Sequence, residues 1–131
     1  MRFRQLLEKC DMLYAILCYT SDELANAEWT PGQDDQVMAR LNRVTSEFEG
    51  DIPCMARLLP TTSAVSIKKG KTEAVVVDGP FIESKEHFVG FYLVECTSLD
   101  QAIGFARDLM AANPWGSGYE IRPVLAAKQG T

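Results

Sequence analysis

Phe88-Val89-Gly90-Phe91-Tyr92-Leu93-Val94-Glu95-Cys96 is apolar at nearly every position, on both of the faces that an extended chain presents. The run Met12-Leu13-Tyr14-Ala15-Ile16-Leu17-Cys18-Tyr19 has the same character. Strands of this kind need cover above and below, unlike strands that alternate apolar with polar residues and leave one face to water. What the rest of the chain supplies as cover therefore decides the fold.

Only two substantial helices are predicted. Thr30-Pro31-Gly32-Gln33 and the aspartates Asp34 and Asp35 are helix-opening residues, and Val37, Leu41, Val44 and Phe48 then recur at helical spacing up to Gly50. Ser98-Leu99-Asp100-Gln101 is a capping box that opens the second helix. Leu99, Ala102, Ile103, Ala106, Leu109 and Met110 form its expected buried stripe, and Asn113-Pro114 stops it. Ser21 and Asp22 open a polar stretch of one helical turn that reaches Trp29.

The remaining segments read as strands. Residues 53–59, 63–69 and 72–78 are extended, separated by Pro60-Thr61-Thr62 and by Lys68-Lys69-Gly70-Lys71, a solvated hairpin turn. Gly90 marks a bulge or a close backbone approach. After Gly116 and Gly118 comes a last strand over 119–125, with Tyr119, Ile121 and Leu125 on one face and Glu120, Arg122 and Val124 on the other. Strand, helix, strands, helix, strand is the order of a ferredoxin-like α+β antiparallel sheet with both helices on one face. The other face then needs a partner, and the simplest is the same face of a second copy. The expectation is a homodimer with two sheets packed face to face and a semi-enclosed cavity between them.

The 131 residues suit a single domain over 12–131, with residues 1–11 read as an N-terminal extension and a candidate non-native segment, because a second methionine, Met12, opens the first clean strand. Phe3, Leu6 and Leu7 in that extension have the spacing of a helical turn. A net charge of −5 is the wrong sign for a protein that neutralises phosphates, so nucleic acid is not an expected partner. Cys10, Cys18, Cys54 and Cys96 are widely spaced, and His87 is the sole histidine, which disfavours structural zinc. Free cysteines inside apolar strands point to a reduced, cytoplasmic protein. The sequence contains no apolar run of membrane-spanning length.

The segment Val77-Asp78-Gly79-Pro80-Phe81-Ile82-Glu83-Ser84-Lys85-Glu86-His87-Phe88-Val89-Gly90-Phe91-Tyr92 resembles the signature of the DGPF subgroup of the YCII-related family. Leu58-Leu59-Pro60-Thr61 and Tyr119-Glu120-Ile121-Arg122-Pro123-Val124 stand at matching separations, so the resemblance runs from about residue 12 to residue 125. It implies a dimeric α/β-barrel fold. It also implies relatives proposed to act on small cyclic or aromatic compounds, and a genomic association with sigma factors of the extracytoplasmic-function type. The wider family's proposed site pairs a histidine in the first helix with an aspartate before a proline and an aromatic residue. Here Asn113-Pro114-Trp115 stands at the latter position and the first helix holds no histidine, so that dyad is not carried over.

Asp78 begins a tight turn in which Gly79 takes conformations closed to other residues and Pro80 fixes the exit. A rigid turn at a cavity mouth would aim Asp78, Glu83, Lys85 and His87 at a ligand. Histidine is the side chain type suited to proton transfer at neutral pH, which makes His87, with Asp78 and Glu83, a catalytic candidate. Phe81, Phe91, Tyr92 and Trp115 could line an apolar pocket in which Arg57 or Arg122 orients an anionic group, or could serve core and interface. Arg122 either pairs with Glu120 or Asp78 or faces the cavity. Two functions follow as expectations. One is a small-molecule-binding or accessory protein; the other is a cofactor-independent isomerase, lyase or hydrolase using acid-base residues. No cofactor or metal is expected, since no glycine-rich phosphate loop or ligand cluster is present.

Overall fold

A computed structural model describes residues 12–25 and 30–128. The extension with its Phe3, Leu6 and Leu7, together with Cys10 and Trp29, lies outside the described residues. In chain order the elements are β1 (Met12–Ser21), α1 (Asp22–Ala25), α2 (Pro31–Glu47), β2 (Asp51–Arg57), β3 (Val65–Lys69), β4 (Ala74–Asp78), β5 (Glu86–Cys96), α3 (Leu99–Ala112) and β6 (Gly118–Pro123), with a single 3-10 turn at Thr61–Ser63. The described residues form an α+β structure with antiparallel sheets and three α-helices. Four strands form one sheet in the order β2-β5-β1-β6, and β3 and β4 form a separate two-stranded sheet.

The helix boundaries follow local chemistry. Thr30 caps α2: its hydroxyl accepts from the Gln33 N–H at 3.2 Å while the Gln33 side chain accepts from the Thr30 N–H at 2.8 Å. The helix stops at Glu47, short of Gly50, because Phe48 turns to extended backbone and packs its ring on Phe105. Ser98 caps α3 through the Gln101 N–H, but the Gln101 side chain reaches one residue further back, to the Thr97 N–H at 2.8 Å.

The register assigns the two faces of the sheet. Tyr14 lies opposite Val94, and Ile16 lies opposite both Tyr92 and Ile121. These residues join Val37 and Leu41 of α2 and Ala102, Phe105, Ala106 and Leu109 of α3 in one core. Phe105, not foreseen as buried, takes the core position, whereas Leu99 and Met110 are half-exposed. The buried stripe of α3 thus keeps Ala102, Ala106 and Leu109 but takes Phe105 and Ala112 in place of Leu99 and Met110, with Phe105 packed at a tilt against Phe48 and meeting Tyr92 edge-on at 5.5 Å.

On the other face lie Leu13, Ala15 and Leu17 of β1 and Phe91, Leu93 and Glu95 of β5. Leu13 and Glu95 are buried, but Ala15, Leu17, Phe91 and Leu93 remain only partly covered, since both long helices sit on the opposite side. Gly90 fulfils both readings of its position. Cys18 pairs with Gly90 and Tyr19 with Phe88, which leaves Val89 as the extra residue of a bulge. A Cβ on Gly90 would come within 2.6 Å of the Ala56 carbonyl oxygen of β2. The last strand ends at Pro123, so Leu125 falls beyond it and is exposed.

Candidate functional site

The turn Asp78-Gly79-Pro80-Phe81 is built by backbone needs. Gly79 has φ 105°, in the left-handed region that favours glycine. Its N–H donates to the Ala64 carbonyl at 2.8 Å, and its own carbonyl accepts from the Ser66 hydroxyl at 2.7 Å. Two hydrogen bonds therefore fasten the turn to residues at the start of β3 and just before it, and Ser66, which makes one of them, is buried. The Asp78 carboxylate makes no hydrogen bond among the described residues, so the turn does not depend on that side chain.

Beyond this turn the chain forms one side of an open cleft of ≈ 1010 Å³. Its apolar lining includes Tyr19, Leu58, Leu59, Phe81, Ile82 and Phe88; its charged lining is Arg57, Glu83, Glu86 and His87. The lysine of the hairpin contributes from outside: Lys68 Nζ sits 5.9 Å from the Phe81 ring centroid. A second groove of ≈ 670 Å³ runs between α2 and α3, where Phe48 and Phe105 form an apolar floor within a rim of Arg40, Arg43, Glu47 and Asp108. None of the sequence-predicted site residues lines that groove.

At one end of the cleft three segments are tied together. Pairing of Ser21 with Glu86 and Thr20 with His87 brings the end of β1 against the start of β5, and the Asp22 N–H extends the ladder to the Lys85 carbonyl at 2.7 Å. The Asp22 carboxylate is thereby brought to His87 Nε2, with which it shares a hydrogen bond. From the segment before β6, the Ser117 hydroxyl donates to Glu86 Oε2 at 2.6 Å, and the Ser117 N–H donates to the Tyr19 carbonyl at 2.9 Å. Thr20 Oγ1 also donates to the Trp115 carbonyl at 2.7 Å. The His87 side chain is 19% exposed, so it is held in place while still lining the cleft.

The expected site residues are not all brought together. Glu83, His87, Phe81 and Arg57 line the cleft; Asp78 and Lys85 lie outside its lining. Tyr92 and Trp115 pack against the helix-side core, and Phe91 lies on the opposite face of the sheet. Arg122 pairs with Glu120 and is exposed, away from the cleft. Arg57 is shared: its NH1 donates to Met38 Sδ at 2.9 Å and its NH2 lies 3.7 Å from Asp34 Oδ1. Asp22 is the residue that sequence reasoning missed, having been read as the opening of a short helix.

Under the helices, burial pushes the Cys18 thiol up to about 12. Burial also pushes the Tyr119 hydroxyl up to about 12, with Cys18 adding to the effect and a hydrogen bond with Asn113 opposing it. Tyr92 moves in the same direction for the same first cause. These groups are neutral at ordinary pH, as core residues should be. Among the described residues, no group of three histidine, cysteine, aspartate or glutamate side chains is placed to hold a metal ion, and no helix is long and apolar enough to cross a membrane.

Residues 12–128 match the YCII-related domain. The chain is also similar to the uncharacterized protein R00369 of Rhizobium meliloti (strain 1021), with 46% identity over 121 residues that cover 91% of this chain and 97% of the relative. Together, a match that begins at the first residue of β1 and continues past β6, and a relative aligned over almost its full length, place this chain in the YCII-related domain family.

Proposed function

We propose that this YCII-related protein is a homodimer of the DGPF subgroup that binds a small aromatic or cyclic molecule in the cleft beside the Asp78-Gly79-Pro80-Phe81 turn, as a cytoplasmic binding or accessory protein. The observation that carries this reading is the make-up of the cleft, an apolar wall with a few polar groups gathered at one end, which is the usual composition of a small-molecule site. Tyr19, Phe81 and Phe88 offer ring faces to an aromatic ligand, and Arg57 offers a cation to an acidic substituent.

Two uncovered apolar surfaces support the pairing. The hairpin of β3 and β4 has strands of five residues each, and a two-stranded hairpin alone is marginal in water. Yet Ile67 and Val76, directly opposite one another, are each 67% exposed, with Val65, Val75 and Val77 also open. The sheet face carrying Ala15, Leu17, Phe91 and Leu93 is likewise only partly covered. A second copy packed there, in the manner of a dimeric α/β barrel, covers such surfaces by the isologous contact that a two-fold axis generates. Partnership with a sigma factor rests on the family resemblance alone and is secondary to this reading.

The test is a thermal-shift screen of small aromatic and cyclic acids, with crystallography of any hit, beside sedimentation velocity of the free protein. Ligands that raise the melting temperature and sit against Phe81 and Phe88 support the reading. A monomer at micromolar concentration, or hits that bind only elsewhere, contradicts it. The alternative of a cofactor-independent enzyme is favoured by one specific observation, the pairing of His87, which lines the cleft, with Asp22, which holds it from outside the lining.

A further inference from the structure

We infer that His87 and Asp22 form a proton-transfer dyad, with His87 Nδ1 as the base acting on a carbon acid bound in the cleft and Asp22 as the positioning residue. This inference rests on the cleft being a small-molecule site. Three features of the site support it. The first is which nitrogen is used. Asp22 Oδ1 engages Nε2, so in the neutral ring the proton sits on Nε2 and the lone pair on Nδ1; among the described residues Nδ1 has no hydrogen-bond partner. The second is immobilisation. Asp22 is fixed by its own N–H to the Lys85 carbonyl, and the ring is mostly buried yet lines the cleft. The third is surroundings. Phe81, Phe88 and Tyr19 line the same cleft as the ring, and so do the charged Arg57, Glu83 and Glu86.

This arrangement suits one class of reaction. A carboxylate that holds one imidazole nitrogen selects the tautomer and stabilises the imidazolium that forms when the other nitrogen accepts a proton. No hydroxyl of a described residue is bonded to the ring, so the geometry favours proton transfer over hydrolysis through an activated serine. The substrate class is an aromatic or cyclic carbonyl compound with an acidic C–H next to the carbonyl. In the step, the C–H bond breaks as its proton passes to Nδ1, and its electron pair becomes the carbon–carbon double bond while the carbonyl π pair moves to oxygen. The proton then passes from Nδ1 to that oxygen or to another carbon, which yields an isomer of unchanged composition and needs no oxidant, reductant or co-reactant. The Arg57 guanidinium is the cation in the cleft that can face the oxygen on which charge develops.

The experiment uses the fact that the chain contains a single histidine. In 15N-labelled protein its imidazole gives one spin system, whose nitrogen shifts report the tautomer without any ligand. The expected result is a fixed Nε2–H tautomer in the wild type and in Asp22→Asn, whose amide oxygen still accepts the N–H, and a mixture of tautomers in Asp22→Ala. In parallel, phenylpyruvate, an aromatic 2-oxo acid, is followed in deuterium oxide by NMR for exchange of its benzylic protons. Wild-type protein is expected to accelerate the exchange, His87→Gln to abolish the acceleration, and Asp22→Asn to lower it at saturation about tenfold or more with KM little changed. A wild-type ring in the Nδ1–H form, or one averaging between tautomers, overturns the dyad whatever binds. Phenylpyruvate that raises the melting temperature but exchanges no faster overturns proton transfer while leaving the binding role intact. Acceleration that survives His87→Gln overturns it as well.

Discussion

Gly90→Ala tests the sheet where it borders the cleft. The added Cβ would lie 2.6 Å from the Ala56 carbonyl oxygen and 3.5 Å from the Arg57 Cα, both of them backbone atoms of β2. Ordinary contact begins near 3.4 Å, so β2 and β5 must part locally by most of an ångström. Nearby ladder bonds resist this, including the Leu58 N–H to the Val89 carbonyl at 3.0 Å. Overpacking of this kind costs about 1–3 kcal/mol. For a chain of this size that corresponds to a melting temperature lower by about 4–15 °C at fixed protein concentration, read by scanning calorimetry. Because Arg57 and Leu58 move with β2, any ligand found in the cleft should also bind more weakly to the variant. A melting temperature within about 1 °C of the wild type would refute the register that sets Gly90 beside Arg57.

Gly104→Ala should act in the opposite direction: its Cβ meets nothing within 4 Å in the middle of α3, and replacing a helical glycine gains about 0.5–1 kcal/mol, measurable in urea. Ile67→Lys combined with Val76→Glu puts a complementary pair on the exposed face of the hairpin, so the hairpin should persist while the proposed homodimer gives way to monomers in sedimentation velocity; a variant that sediments as a dimer would exclude the hairpin from the proposed interface. Cys18 should resist iodoacetamide near pH 8 in the folded protein, because its thiol is pushed up to about 12, whereas the exposed Cys54 reacts, with peptide mapping giving the answer. The same shift has a consequence for stability. With the folded-state values of Cys18 and Tyr119 raised, their contribution is present below the ordinary thiol range and is lost as pH rises from about 9 towards 12, since the unfolded chain ionises first; flat stability across that window would contradict their burial.

Much of this architecture is legible in the sequence because it rests on local rules. Thr30 with Gln33 and Ser98 with Gln101 start helices through contacts three residues apart, and the two-sided apolar runs at β1 and β5 mark the central strands of the sheet whatever they pair with. Gly90 was open to two readings, and one geometry satisfies both. The misplaced features come from tertiary contacts. Phe105 stands at helical spacing from Ala102 and Leu109, so the period of α3 admits it to the buried stripe, but its contact with Phe48, just past the end of α2, is what selects it over Leu99 and Met110.

The site was less legible for a related reason. Reading along the chain groups Asp78, Glu83, Lys85 and His87 because they are close in sequence, but the turn and the strand that follows separate them: β4 carries Asp78 outside the lining, while β5 carries His87 into it. The partner that His87 does acquire is 65 residues away. It becomes visible only when the antiparallel register of β1 and β5 is known, since pairing Ser21 with Glu86 sets Asp22 against Lys85, the residue before the strand and two positions from His87. Motif reading asks which neighbours in sequence share a loop, whereas acid-base chemistry depends on which neighbours in space share a proton. In this fold the sheet register decides that, so a one-residue slip between β1 and β5 would separate Asp22 from His87 even with every residue of the turn intact.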